Sequence, residues 1–181
     1  MNAISQDLID KASRGDIKAF EEIYKGTSGF VYNVALRVAR STTSADDITQ
    51  DVFMKVYKNL SKFNYRSSLK TWIYRITVNT AINYQKAEAK HTDRRADYDT
   101  VIQSAHAEER VRDNVTKGDE KERLSLFLET LTPEQRACIV LKEIEGLKYR
   151  EIADALKINV NTVRSRLKRA RRNLLVFAGK R

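Results

Sequence analysis

One proline, Pro133, and 6 glycines punctuate 181 residues. β-Hairpins depend on glycine- and proline-containing turns, so a chain this poor in both has few means of reversing direction between strands. Leu, Ala, Lys, Arg and Glu, all good helix formers, are abundant instead. The sequence therefore predicts an all-α protein. With 41% hydrophobic and 32% charged residues, it can fill packed cores and still present a charged surface.

The apolar residues are not spread evenly. Residues 1–90 are rich in aromatic and branched side chains and read as several helices. Residues 91–119 contain only Tyr98, Val101, Ile102, Val111 and Val115 as large apolar residues, too few to bury much surface. This segment is expected to be a polar linker, with some helix near Glu108–Val115. Periodicity returns over 120–181. The expected architecture is two small helical domains joined by a polar linker.

The C-terminal part has the clearest local signals. Thr132-Pro133-Glu134-Gln135 supplies an N-cap, a proline at the first helical position and a glutamine three residues after the cap. That helix should run to about Glu145 and stop at Gly146. A short helix over Tyr149–Leu156 should follow, then a turn at Lys157-Ile158-Asn159, then a longer helix from Val160. In the longer helix Val160, Val163, Leu167, Ala170 and Leu174 form one apolar stripe. Asn161, Ser165, Lys168, Arg169 and Arg172 lie opposite it, and Arg164, Arg166 and Arg171 flank it. Two short helices joined by a tight turn, the second bearing Asn, Ser, Lys and Arg outward, form a helix-turn-helix suited to the major groove. Arg can bond guanine edges, Asn adenine, and the remaining cations phosphate.

Charge supports this reading. Residues 148–181 hold 11 basic and 2 acidic residues, +9 of the chain's net +10, and such a concentrated field attracts polyanions. A solvated basic tail would explain the charge but not the apolar stripe or the uncharged Asn161 and Ser165. No apolar run approaches the roughly 18 residues of a membrane helix. Asp7, Asp10 and Asp16 also break up any signal-peptide core. No stable membrane insertion is expected, and the single cysteine, Cys138, fits a reducing, cytoplasmic setting. Between Ala137 and Ile139, Cys138 reads as buried core rather than a nucleophile.

Two N-terminal segments complete the pattern. On a helix from Asp46 to about Leu60, Ile48, Val52, Val56 and Leu60 face inward, whereas Asp47, Gln50, Asp51 and Met54 share the outer face. Carboxylates beside an exposed methionine suit a basic, partly apolar protein surface better than DNA. The helix from about Ser67 to Lys86 is apolar on two sides, with Leu69, Trp72, Ile73 and Ile76 on one and Tyr74, Val78 and Ile82 on the other. Between them runs a row of Trp72, Arg75, Asn79, Asn83 and Lys86, suited to unstacked bases and their phosphates. Trp72 also fits ordinary core packing, and Asn79 and Asn83 also fit solvated helix surface.

Glu145–Ala153 together with Val160–Arg171 resembles region 4 of bacterial sigma factors. The stretch Asp46-Asp47-Ile48-Thr49-Gln50-Asp51-Val52-Phe53 resembles their region 2.2, and Phe63–Ala81 resembles regions 2.3 and 2.4. The linker leaves no room for a region 3 domain, so the resemblance is to the extracytoplasmic-function (ECF) class. One departure lies at Tyr65-Arg66-Ser67-Ser68, where many relatives carry a Gly-Asp-type turn.

The resemblance implies a factor that binds core RNA polymerase, directs it to promoter DNA and helps melt it. The polymerase surface would be Asp47, Gln50, Asp51 and Met54, docking on the clamp helices of the largest subunit, with a further contact to the flap of the second-largest subunit. Minus-10 recognition would fall to Tyr65, Arg66, Trp72, Arg75, Asn79, Asn83 and Lys86. Minus-35 recognition would fall to Asn161, Arg164, Ser165, Lys168, Arg169 and Arg172. An anti-sigma protein is the implied regulatory partner.

The alternative is a helix-turn-helix regulator of the response-regulator type, whose Thr-Pro helix start resembles Thr132-Pro133. It calls for a sensing domain with strands, and no strand pattern is present. An enzyme lacks the inventory: His91 and His106 both fall in the linker, and neither a phosphate loop nor a metal-ligand carboxylate pair is present. No catalytic residue, metal or cofactor is expected.

Overall fold

The computed structural model describes residues 4–96 and 118–179, with the backbone alone at 89–96 and 118–122. Every regular element among the described residues is helical. The helix expected near Glu108–Val115 lies outside them.

Local capping explains where the first helices begin. Ser5 Oγ accepts from the Leu8 amide at 3.2 Å and starts α1, Gln6–Ser13. Gly15, at φ 95°, turns the chain in a region closed to most side chains. Asp16 then accepts from the amides of Lys18 (2.9 Å) and Ala19 (3.1 Å) and starts α2, Ile17–Ala39. Ser41 caps α3, Thr42–Asn59, which begins earlier than the sequence suggested because Ser41 supplies the cap. A 3₁₀ turn at Leu60–Lys62 follows, then a loop, then α4, Leu69–Ala96. α4 thus extends into the segment read as linker.

Helices α2, α3 and α4 pack side by side with α1 against α2. Ile23, Val31, Val34 and Val38 from α2 meet Ile48, Val52 and Val56 from α3 and Ile73 and Val78 from α4. All nine are fully buried. Each contributes about 1.5–3 kcal/mol relative to an exposed position, which sets the rotation of α3 and α4 and hence which residues point outward.

The second unit contains α5 (Gly118–Glu129), α6 (Pro133–Ile139), α7 (Tyr149–Leu156) and α8 (Val160–Ala178). Thr132 and Gln135 make the reciprocal capping box at the start of α6. After Ile139 the helix widens into a π turn at Val140–Ile144. It stops at Gly146, at φ 72°, where the Leu147 amide bonds the Leu141 carbonyl at 2.9 Å. Lys157 takes the left-handed conformation between α7 and α8, and Asn159 caps α8 through the Asn161 amide at 2.8 Å. Val163, Leu167 and Ala170 of the α8 stripe are buried, but Leu174 is 41% exposed. Further along, the covered side of α8 passes to Phe177, which packs on Phe127 of α5, and Leu174 falls outside it.

The two units pack on each other, α4 against α6 and α7, and α2 against α6. Arg136 is the central side chain of this junction and is buried. Its Nε donates to the Leu128 carbonyl at 2.8 Å and its Nη2 to Leu131 at 3.0 Å, both at the end of α5. Its Nη1 donates to the Val38 carbonyl at 2.6 Å and to Gln85 Oε1 at 3.3 Å, across the junction. Carbonyls at helix C-termini carry partial negative charge, so the guanidinium exchanges water for well-placed acceptors.

Candidate nucleic-acid interface and groove

The outward face of α8 follows from its buried stripe. With Val163, Leu167 and Ala170 inward, the side chains of Asn161, Arg164, Ser165, Lys168, Arg169 and Arg172 are all exposed. Arg164 Nη1 donates to Asn161 Oδ1 at 3.0 Å, and Ser165 Oγ donates to the Asn161 carbonyl at 2.9 Å. These local bonds leave Lys168, Arg169 and Arg172 projecting with no partner among the described residues. Arg171 instead pairs with Glu143 of the π turn at 2.8 Å. Arg166 is half-buried and lies beside Cys138. Burial pushes the Cys138 thiol up to about 11, against the attraction of Arg166, which makes it a weak nucleophile.

The N-terminal DNA candidates divide into two groups. Tyr65 and Arg66 lie in the loop before α4 and are exposed. Tyr65 sits at φ 58°, donates its hydroxyl to Asp10 and packs on Phe63 at 4.8 Å. Trp72 is half-buried, with its ring 5.5 Å from Phe63. The loop is therefore built around an aromatic trio. The others lie along α4. Asn83 is exposed, whereas Asn79 is half-buried with its amide directed at the Ala155 carbonyl of α7, 3.5 Å away. Lys86 pairs with Glu134 of α6 at 3.0 Å. Arg75 is half-buried, and its Nε is fully buried with no hydrogen-bond partner among the described residues.

On α3, the four candidate residues have different neighbours. Gln50 and Met54 line an open groove with Phe20, Tyr24, Asp46, Thr49, Phe53 and Tyr57. Met54 and Tyr57 are about half exposed. Phe20 stacks edge-on to Tyr57 at 5.0 Å, and Tyr24 lies 4.5 Å from Phe53. Asp47 and Asp51 border the α4 side instead. Asp47 accepts from the Tyr84 hydroxyl at 3.2 Å. Asp51 pairs with Lys55 at 2.7 Å, and Lys55 also bonds Thr80 of α4. The sequence reading did not include Phe20, Tyr24 and Tyr57. Their signal was the i, i+4 spacing of Phe20 and Tyr24, but only the packing of α2 on α3 brings that pair beside Tyr57.

Among the described residues no group of His, Cys, Asp and Glu is placed to hold a metal ion. No described helix is long and apolar enough to cross a membrane.

Comparison with known proteins identifies both halves. Residues 23–91 match the family described as Sigma-70 region 2, and residues 121–174 match Sigma-70, region 4. The chain is 34% identical to the ECF RNA polymerase sigma-E factor of Escherichia coli K12, over 92% of this chain and 90% of that protein. It is 31% identical to the ECF RNA polymerase sigma factor SigK of Mycobacterium bovis, over 92% and 89%. The fold is similar to that of CnrH in complex with the cytosolic domain of CnrY, with a TM-score of 0.70, 22% identity and 97% of both chains covered. It is also similar to RpoE of Bartonella quintana, solved with the anti-sigma factor NepR, with a TM-score of 0.69, 23% identity, and 91% and 99% covered. A response-regulator type of helix-turn-helix protein does not account for the region 2 match. The all-α chain, with an N-terminal region 2 and a C-terminal helix-turn-helix region 4, belongs to the extracytoplasmic-function sigma factors, which direct RNA polymerase to promoters.

Proposed function

We propose that the chain binds core RNA polymerase through the α3 face, reads minus-10 DNA with α4 and the loop before it, and reads minus-35 DNA with α8. The observation that carries this reading is the outer face of α8. Six polar or cationic side chains are exposed there above a buried stripe that fixes their direction. Inserted in a major groove, such a face brings Arg and Asn to base edges and the remaining cations to phosphates.

The groove beside Gln50 and Met54 suits an amphipathic helix. Its aromatic walls would take apolar side chains, and Asp46, Asp47 and Asp51 would face cations on the clamp helices. On the second unit, Leu124, Leu126, Leu174, Leu175 and Val176 are exposed, and the Phe127–Phe177 contact at 6.2 Å holds α5 beside α8. That apolar surface suits the polymerase flap. Minus-10 bases, once unstacked, would meet Asn79 and the Tyr65–Arg66 loop, with Trp72 as a wall. The factor would act in the cytoplasm and be restrained by an anti-sigma protein, the kind of partner with which RpoE of Bartonella quintana was crystallised.

The test is transcription of fragmented genomic DNA by core polymerase with and without the purified chain, mapped at the start sites. New start sites sharing two upstream elements are expected. An unchanged transcript pattern would overturn the reading.

A further inference from the structure

Tyr65 is held in place from outside its own loop. Its φ of 58° lies in a region that L side chains seldom occupy unless the surrounding structure keeps them there. Its hydroxyl donates to the carboxylate of Asp10 on α1. That acceptor sits on a fixed support, since Ile9 and Ala12 are buried and α1 packs on α2 and on the Leu60–Lys62 turn. Hydrogen bonding to Asp10 pushes the Tyr65 hydroxyl above the ordinary tyrosine range, so it remains a donor at neutral pH. The ring of Tyr65 lies 4.8 Å from that of Phe63, which is buried and stands 5.5 Å from Trp72. Local bonds shape the rest of the loop. The Arg66 amide donates to Asn64 Oδ1 at 3.4 Å, and Ser68 Oγ accepts from the Thr71 amide at 3.0 Å. Asp10 is the distant partner, and it precedes the residues matched to region 2, which begin at 23.

We propose that Asp10 is a positioning residue for minus-10 reading, acting by holding Tyr65 and so the shape of the loop before α4. The inference rests on the assignment of that loop to minus-10 DNA and adds what sets its geometry. Released from Asp10, Tyr65 would relax toward a negative φ. A change of φ at one residue re-aims those that follow it, here Arg66 and Ser67, relative to Trp72. With the tether closed, Arg66 is exposed and follows directly on the half-exposed Tyr65 ring. A polar reader next to an aromatic wall is what one unstacked base requires. Asp10 carries the same sign of charge as a phosphate, so its effect on DNA passes through Tyr65 rather than through contact.

The experiment uses holoenzyme assembled from core polymerase and the full chain. Its substrate is a fork promoter with an intact minus-35 element and a randomised single-stranded minus-10 segment, and the bound strands are sequenced. Asp10→Ala should shrink the preference at one minus-10 position by about tenfold. Tyr65→Phe, which keeps the ring and loses the hydroxyl, should do the same, and the two changes together should cost no more than either alone. Asp10→Asn keeps an acceptor oxygen and should restore the preference. Core affinity and minus-35 preference should stay at wild-type values throughout, which a general loss of folding would not allow. In the free chain, the backbone carbon chemical shifts of Tyr65 report its left-handed conformation, and Asp10→Ala should move them toward extended values. Unmoved shifts in Asp10→Ala overturn the proposal, as does a wild-type base preference in both Asp10→Ala and Tyr65→Phe. A wild-type holoenzyme with no minus-10 preference would instead sink the assignment of the loop, and the proposal with it.

Discussion

The Tyr74 hydroxyl, on α4 of region 2, donates a hydrogen bond to the Glu145 carboxylate that follows the π turn of region 4. Tyr74 is almost fully buried, its ring stands 4.8 Å from Phe30, and Lys70 Nζ lies 5.5 Å from its centroid. Burial, and then the Glu145 carboxylate, push the Tyr74 hydroxyl above the ordinary tyrosine range. Tyr74→Phe keeps the ring and removes one donor to a charged acceptor, so stability should fall by about 1–2 kcal/mol. Urea denaturation at neutral pH measures it. An unchanged midpoint would mean that this bond contributes nothing to the packing of the two units.

Polymerase binding should respond to both parts of the α3 surface. Met54 is 51% exposed, so Met54→Glu should fold normally while placing a carboxylate in the aromatic groove. Core affinity should fall by about 1–3 kcal/mol. The double change Asp47→Lys with Asp51→Lys should have a similar effect, through charge. Fluorescence anisotropy with core enzyme tests both, and wild-type affinity in both would remove the surface from α3.

Asn79 is assigned to reading an extruded minus-10 base. Asn79→Ala should leave core binding and duplex minus-35 binding intact but slow open-complex formation. Permanganate reactivity of unpaired thymines is the readout. Wild-type melting at wild-type rate would refute the assignment.

On α8, base and phosphate contacts carry different signatures. Arg169→Ala should relax preference at one minus-35 position at a cost of about 1–3 kcal/mol, whereas Arg172→Ala should weaken all sequences and lower the salt slope by about 1. Selection from a randomised minus-35 library at two salt concentrations separates them. Unaltered preference in Arg169→Ala would mean that another residue reads that position.

Cys138 should be inert. Its thiol is fully buried and pushed up to about 11 from an ordinary value near 9. At pH 8 its thiolate fraction is then about a hundredfold below that of a free thiol, so alkylation by iodoacetamide should be slower by at least that factor. The folded value lies above the unfolded one. The stability linked to this thiol is therefore complete below about pH 9 and is lost as pH rises through about 11. Alkylation at the rate of a free thiol would show that the packing of α6 on α8 opens often.

Much of the C-terminal half was legible in the sequence because its signals are local. Thr132, Pro133 and Gln135 specify a helix start and Gly146 a stop, through contacts within a few residues, whereas Asn159 was legible as a turn residue and only the structure shows it capping α8. The stripe Val163, Leu167, Ala170 then fixes the outward face of α8. Leu174 broke the pattern, since burial at a helix end depends on what lies beneath it. The loop before α4 is a middle case. Its departure from a Gly-Asp-type turn is visible in sequence, but only the structure shows Tyr65 in the left-handed region, a conformation costing about 1–2 kcal/mol for a side-chain-bearing residue. Contacts to Asp10 and Phe63 offset that cost, and Asp10 lies 55 residues away.

By itself, then, the sequence determined the helical class, the capped start at Thr132, the helix-turn-helix and the direction of the α8 face, the last three set by neighbours within one or two turns. Tertiary structure decided the rest. It placed Phe20 and Tyr24 beside Tyr57, buried Arg136 among carbonyls of α2 and α5, and laid Ala155 and Glu134 over the Asn79–Lys86 row. Those partners are distant in the chain, and each contact exists only because whole helices, driven together by burial of their apolar stripes, carry their polar residues into register.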